Sequence, residues 1–248
     1  MKLLPLLDET LETFGENKLQ ILQRKRGYRF SADAILLSEF VRIRKDEKVI
    51  DLGTGCGILP LLLSQTTKGC SFLGVEVQKS LSDLAERNVV SNHFQHRITI
   101  LREDYRTLPR IFPAGSFHVV VSNPPYRKFR SGRVNPTQER AIARHEIYGA
   151  IDDLVSVAAF LLPPKGRFCF IFPASRAVDA IDSLRRNMLE PKRIRFVHPY
   201  DGAVAKFILV ESVKDSGVEL KIMAPLILRR PDWPVRLSFF TPSEWLRW

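Results

Sequence analysis

The sequence predicts an α/β fold, a seven-stranded, mostly parallel sheet with helices on both faces. Three observations carry that expectation. Short apolar runs alternate with helix-length segments from Glu47 onward, the first run breaks into a glycine-rich turn, and the fourth ends in Asn123-Pro124-Pro125-Tyr126. Alternation of this kind implies parallel strands joined by right-handed crossovers. Ligands of such sheets bind beyond the carboxyl ends of the strands.

Each element has its own justification. "KVIDLGTG" is an apolar run closed by glycine, a strand and a tight turn, and "ILPLLLSQT" is the helix that follows. "SFLGVEV" is the second strand. "KSLSDLAERNVVSN" places Leu81, Leu84, Ala85 and Val89 at helical spacing. "RITILRED" and "FHVVVSNPP" are the third and fourth strands. "DDLVSVAAFLL" is a helix with Asp152 or Asp153 near its start, where the helix dipole favours negative charge. "PPKG" is a turn and "RFCFIFP" the fifth strand. "SRAVDAIDSLRRN" is a helix with Ser175 as its expected N-cap. "RIRFVHPY", "AKFILVESVK" and "LKIMAPLIL" are strands that close the sheet. No repeat, low-complexity segment or Ser/Gly linker interrupts the chain, so residues 1–248 are expected to form a single domain. Residues 1–46 form an N-terminal extension, helical or hairpin, packed on it.

Bulk properties narrow the partners. The 248 residues carry a formal charge of +11, a footprint that polyanions such as nucleic acids favour. Three cysteines, Cys56, Cys70 and Cys169, are distant from one another and form no CxxC pair. This argues against a zinc site or a disulfide framework and for a reducing, cytoplasmic setting. The N-terminal "MKLLPLLDETLETF" is broken by Pro5, Asp8 and Glu9, and no signal peptide is expected. No apolar run reaches the length that spans a bilayer. Neither a metal nor a membrane is expected, and oligomeric state is not legible.

The first turn carries Asp51, Gly53, Thr54, Gly55 and Gly57, with the pattern D-x-G-x-G-x-G. Glycine permits positive φ and lets a ligand touch the backbone. A dinucleotide favours G-x-G-x-x-G, whereas the tighter loop with an acid two residues upstream suits S-adenosylmethionine. Glu76, at the tip of the second strand, is placed to accept hydrogen bonds from ribose hydroxyls, as it would be for NAD too. Asp104, after the third strand, is either an acceptor for the adenine amine or a solvated turn aspartate.

Asn123-Pro124-Pro125-Tyr126 closes the fourth strand, beside that loop in a doubly wound sheet. An exocyclic or amide nitrogen is a poor nucleophile because its lone pair is delocalised. The Asn123 side-chain oxygen and the Pro124 carbonyl are two acceptors able to hold both N–H groups and turn the lone pair toward a sulfonium methyl. Proline offers no N–H to repel an amine, and Tyr126 can stack on a flat target. No early general base is required, so most of the rate comes from positioning. Alone, the tetrapeptide also reads as a rigid turn. At the end of the fourth strand, counted from the one that leads into the glycine loop, it reads as an amino-methyltransferase.

"GYRFSADAILLSEF" (27–40), "VIDLGTGCGIL" (49–59), "VVSNPPYRK" (120–128), "AIARHE" (141–146) and "RFVHPYDGAVAKFILVESVK" (195–214) resemble the bacterial tRNA(Val) adenine-N6 methyltransferases over nearly the whole chain. The resemblance implies a class I Rossmann-like methyltransferase fold and methylation of the adenosine 3′ of the anticodon, position 37. It also implies cofactor contacts at Asp51, Gly53, Gly55, Glu76 and Asp104, and base contacts at Asn123, Pro124 and Tyr126. Asn123 thus faces both the cofactor and the target.

Beyond Tyr126, the residues Arg127, Lys128, Phe129, Arg130 and Arg133 are candidates for binding the RNA, the cations on phosphates and Phe129 by stacking. The alternative is a solvated loop, since Gly132 and Pro136 break the segment. Further basic clusters lie at Lys18, Arg24, Lys25, Arg26 and Arg29, and at Arg185, Arg186, Lys192, Arg193 and Arg195. In "RFSADAILL", Ser31 and Asp33 read as helix-start residues or as part of a lid over the methionine end. His145 is not counted as catalytic. Rival readings are the glutamine N5-methyltransferases of release factors, rRNA or DNA adenine methyltransferases, and a non-catalytic RNA-binding module. A release-factor enzyme usually carries a longer helical N-terminal domain. A mere binding module needs neither Asn123 nor Asp51.

Overall fold

The computed structural model describes residues 5–14, 19–26, 29, 32–124 and 151–229. The chain opens with an antiparallel hairpin of β1 (Glu9–Phe14) and β2 (Leu19–Arg24), in register from Glu9 opposite Arg24 to Phe14 opposite Leu19. Helix α1 (Ala32–Phe40) follows, so the extension before the first sheet strand contains both a hairpin and a helix. The alternating region is β3 (Lys48–Leu52), α2 (Ile58–Thr66), β4 (Ser71–Val75), α3 (Lys79–Ser91), β5 (Ile98–Leu101), a 3₁₀ turn at Tyr105–Arg110, and β6 (Val119–Ser122). Next come α4 (Ile151–Leu161), β7 (Arg167–Pro173), α5 (Ala177–Arg186), β8 (Leu189–Tyr200), β9 (Phe207–Lys214), β10 (Lys221–Ile222) and β11 (Leu226–Arg229).

The sheet order is β5-β4-β3-β6-β7-β9-β8. From β5 to β7 all neighbours are parallel, and β9 runs antiparallel to both β7 and β8. Seven of the eight runs named as strands are therefore present as single strands, β3 to β9. "LKIMAPLIL" departs from expectation. It supplies two short strands, β10 and β11, which both pair in parallel with the outer edge of β8 and make the sheet nine-stranded among the described residues. Pro225 interrupts the run, because proline cannot donate to a ladder.

Both faces of the sheet are covered, which is why its strands read as near-continuous apolar runs. Along β6, Val119 and Val121 enter the cluster under the hairpin, α1, α2 and α3, while Val120 enters the cluster under α4 and α5. Phe168 and Phe170 stack at 4.7 Å in the second cluster. A largely buried ion pair ties β8 and β9 to the end of α1. The Arg193 guanidinium holds Glu211 through Nε–Oε1 at 2.9 Å and Nη2–Oε2 at 2.8 Å, and also donates to the Phe40 carbonyl at the end of α1 at 3.0 Å. It lies 4.5 Å from the centre of the Phe40 ring.

Ser175 does not cap α5. It sits in a separate 3₁₀ turn, Ala174–Arg176, and the helix starts at Ala177 with Arg176 at its N-cap and no side-chain cap bond. Pro173 ends β7, and the chain tightens directly into that turn before it can enter the helix.

Candidate active site

The carboxyl ends of β4, β3 and β6 lie side by side, and the loops that leave them carry the sequence motifs. After β3 the chain turns through Gly53, Gly55 and Gly57 at φ +80°, +58° and +80°. At Gly57 the absence of a side chain also serves packing, because a Cβ there would come within 3.2 Å of the Ala85 Cβ on α3. At Gly53 a Cβ would meet nothing within 4 Å, so this part of the turn faces open space.

Backbone bonds fix the turn to β4. The amides of Gly53 and Thr54 both donate to the Val75 carbonyl at 2.9 Å. Glu76, buried at the tip of β4, accepts from the Gly55 amide through Oε2 and from the Gln78 amide through Oε1, each at 2.9 Å. The second acid thus holds the glycine loop in shape as well as facing it. Gly74 was not singled out from sequence, yet a Cβ there would come within 2.9 Å of the Thr54 hydroxyl. A glycine in a strand interior was the available signal, since it often marks such a close approach.

Asp51 is buried at the end of β3, and burial pushes its carboxyl up to about 7. The nearby Thr54 hydroxyl opposes that rise and the Glu76 charge adds to it. Neither Asp51 Oδ1 nor Thr54 Oγ1 completes a hydrogen bond. Buried polar atoms are normally satisfied. Here the two unsatisfied atoms lie near each other at the glycine turn, with the Thr54 hydroxyl close enough to hold the Asp51 carboxyl down against the effect of burial.

Asp104 follows β5. Its side chain caps the 3₁₀ turn by accepting from the Arg106 amide at 3.0 Å, and both carboxylate oxygens receive the Arg106 guanidinium. Burial works to raise this carboxyl, but the bonds from Arg106 outweigh it and hold the group below its ordinary value. Arg106 was not anticipated. An Asp two residues before an Arg is too common a pattern to signal it.

Ser122, the last residue of β6, is fully buried, and its hydroxyl donates to the Leu52 carbonyl at 2.7 Å. That bond lies one residue beyond the last register pair of the two strands, Asp51 opposite Val121. It joins the residue before Gly53 to the residue before Asn123. Asn123 and Pro124 leave the strand half-buried. Tyr126, Arg127, Lys128, Phe129, Arg130 and Arg133 lie outside the described residues, as do Ser31 and His145. Asp33 is buried in the first turn of α1 and accepts from the Ala34 amide at 3.1 Å.

Lys18 lies outside the described residues, and most of the described cations in the other two basic clusters already face partners within the chain. Arg24 pairs with Asp8 at 2.8 Å, Arg29 with Glu12, and Lys25 donates to the Leu7 carbonyl at 2.9 Å. Arg185 pairs with Glu190 at 3.4 Å and Arg186 with Asp152 at 2.8 Å. Lys192 donates to the Gly217 carbonyl at 2.6 Å and Arg195 to the Ala224 carbonyl at 3.1 Å. Among the described residues no group of three or more His, Cys, Asp or Glu could hold a metal ion. No described helix is long and apolar enough to cross a membrane.

The strand order, the glycine turn after β3 and the Asn-Pro pair on the neighbouring strand define a class I methyltransferase. A family model described as methyltransferase small domain matches residues 31–188. A tRNA1(Val) (adenine(37)-N6)-methyltransferase from Tolumonas auensis is 33% identical over 172 residues, covering 68% of this chain and 69% of its own. The chain belongs to the methyltransferase small domain family and, within it, to the tRNA1(Val) (adenine(37)-N6)-methyltransferases. Two solved structures share the fold. A predicted O-methyltransferase from Agrobacterium tumefaciens superposes with a TM-score of 0.67 at 22% identity, over 86% of this chain and 93% of its own. The geranyl diphosphate C-methyltransferase of Streptomyces coelicolor, solved with S-adenosyl-L-homocysteine, gives a TM-score of 0.56 at 14% identity, over 74% and 78%.

Proposed function

We propose that this chain methylates N6 of an adenosine in RNA, using S-adenosylmethionine, and that the substrate is adenosine 37 of tRNA1(Val). The observation that carries the reading is the adjacency of the two motifs. Because β3 and β6 are paired neighbours, about 4.8 Å apart, the glycine loop and Asn123-Pro124 leave the same edge side by side.

The residues fit the cofactor. The unpartnered Asp51 Oδ1 suits a donor such as the methionine ammonium, and the open face of Gly53 admits the ligand to the backbone. Thr54 Oγ1 and Gly55 line the same turn, Glu76 is assigned to the ribose hydroxyls, and Asp104 to the adenine end. When bound, the cofactor supplies an electrophilic methyl carbon on a sulfonium. The protein's part is then positional. The Asn123 side-chain oxygen and the Pro124 carbonyl accept the two N–H groups of the target amine, which aims its lone pair at that carbon. Alkylation makes the proton acidic, so no residue needs to remove it beforehand. Tyr126 stacks on the base, and Arg127, Lys128, Phe129, Arg130 and Arg133 hold the flanking RNA.

We read the chain as one domain, with the hairpin as a part of it, working in the cytoplasm where its tRNA is found. The test is incubation of purified protein with methyl-labelled cofactor and separate pools of tRNA, rRNA, DNA and release factor. Label is expected in tRNA alone, and nuclease mapping is expected to place it at adenosine 37. Label in protein or DNA but not tRNA overturns the assignment.

A further inference from the structure

The hairpin β1–β2 lies outside the residues that the family model matches, yet one of its edges is bonded to the cofactor loop. The link is Asn88, a fully buried residue of α3. Its Oδ1 accepts from the Leu22 amide at 2.7 Å. Its Nδ2 donates to the Leu22 carbonyl at 3.1 Å and to the Cys56 carbonyl at 2.9 Å. Leu22 is on β2, and Cys56 stands between Gly55 and Gly57.

One turn later Asn92 repeats half of the pattern. Its Oδ1 accepts from the Gln20 amide at 2.9 Å and its Nδ2 donates to the Gln20 carbonyl at 2.7 Å, with no reach to the loop. The spacing explains the match. Four helical residues rise about 6 Å, and two strand residues span about 6.8 Å. The two amides therefore act as a neighbouring strand for the free edge of β2. Arg87, beside Asn88, adds an ion pair to the buried Glu9 at 2.5 Å.

The Cys56 peptide needs such a support. It lies between two left-handed glycines, and the helix that follows has Gly57 at its N-cap and no side-chain cap bond. A carbonyl in that position has freedom that a regular element would remove, and an outside donor limits it.

We propose that Asn88 is a positioning residue for cofactor binding, and that through it the hairpin braces the glycine loop. This rests on the reading that the loop holds S-adenosylmethionine. Two single variants separate the brace from ordinary stabilisation. Asn88→Ala removes the bonds to both hairpin and loop, whereas Asn92→Ala removes two bonds to the hairpin and two at the end of α3, to the Asn88 carbonyl and the Ser91 hydroxyl, and none to the loop. Calorimetric titration with S-adenosylhomocysteine, which is not consumed, is expected to give at least a tenfold rise in Kd for Asn88→Ala. For Asn92→Ala the expected rise is under twofold, even where its fall in Tm is similar. Equal Kd shifts in the two variants, or none in Asn88→Ala, overturn the proposal.

The wild-type protein gives a second measurement, free of any folding defect. Coupling is reciprocal, so saturating S-adenosylhomocysteine is expected to slow amide hydrogen exchange at Leu22 on the hairpin at least threefold. Exchange at Leu22 unchanged by bound ligand overturns the coupling. Failure of the wild-type protein to bind the ligand at all overturns the functional reading instead.

Discussion

Lowering the pH from 7 to 6 is expected to weaken cofactor binding about fivefold, and Asp51 is the reason. Its carboxyl is held at about 7 by burial, with the Glu76 charge adding to the effect. Its Oδ1 lacks a partner and is assigned to the ligand's ammonium. Binding then selects the ionised carboxylate. With a value near 7, about half of the molecules are ionised at pH 7 and about one in eleven at pH 6. That ratio is the fivefold loss, about 1 kcal/mol. The ligand's own α-amino group titrates ordinarily at about 7.7–8.0, so it stays largely protonated across this window. The assay is isothermal titration of S-adenosylhomocysteine at pH 6, 6.5 and 7, in two buffers of different protonation enthalpy. Release of close to one proton per ligand is expected at pH 6, falling toward one half at pH 7. Asp51→Asn is expected to flatten both trends. A wild-type Kd that does not change over this range, or the same slope in Asp51→Asn, refutes the reasoning.

Other expectations follow from the same geometry. Asn123→Ala is expected to lower kcat on cognate tRNA about a hundredfold or more, the scale seen when a positioned polar group is removed, with the cofactor Kd changed less than threefold. Single-turnover and binding measurements separate the two, and full turnover by that variant refutes the role. In the ligand-free protein the raised Asp51 value acts against stability. The unfolded chain ionises near 3.8 and the folded one near 7, so wild type loses stability as pH rises through that window. Asp51→Asn is therefore expected to gain on wild type by at most about 4 kcal/mol above pH 7, and urea unfolding at pH 4.5 and 8 checks the trend. Gly57→Ala and Gly53→Ala both carry the left-handed penalty of about 1–2 kcal/mol. Only the first also crowds Ala85 at 3.2 Å, so it is expected to have the lower Tm. Arg193→Met leaves Glu211 buried and unpaired, at a cost of about 3–5 kcal/mol in urea unfolding, and a loss under 1 kcal/mol contradicts that account.

The parts of the fold that were legible are those written in local pattern. The run "HVVVS" shows a strand buried on both faces, and the structure splits its valines between two cores. The glycines of the first turn reveal its positive φ angles directly. Elements whose boundaries depend on neighbours were less legible. Ser175 has the chemistry of a cap, but the chain leaves β7 too tightly for it to serve as one. "LKIMAPLIL" has strand composition, but Pro225 divides it. The basic clusters read as a nucleic-acid footprint. Whether Arg24, Arg29 or Arg186 faces solvent or an acid is decided by contacts between distant segments. The same holds for the site. Asp51 and Asn123 stand in recognisable motifs. Ser122 reaches a carbonyl 70 residues away and Asn88 one 66 residues away, and no pattern in the sequence announces either bond.

The Arg193 clasp on Phe40 and Glu211 has a consequence for synthesis. Helix α1 leaves the ribosome early, but the cation that secures its last carbonyl comes 153 residues later (193 − 40) and that cation's own counter-ion a further 18 (211 − 193). At ordinary elongation rates of about 5–20 residues per second, the nascent helix waits roughly 10 to 30 s for its anchor. The completed sheet is thus what secures the last turn of α1, and truncation before Glu211 leaves that contact without its counter-ion.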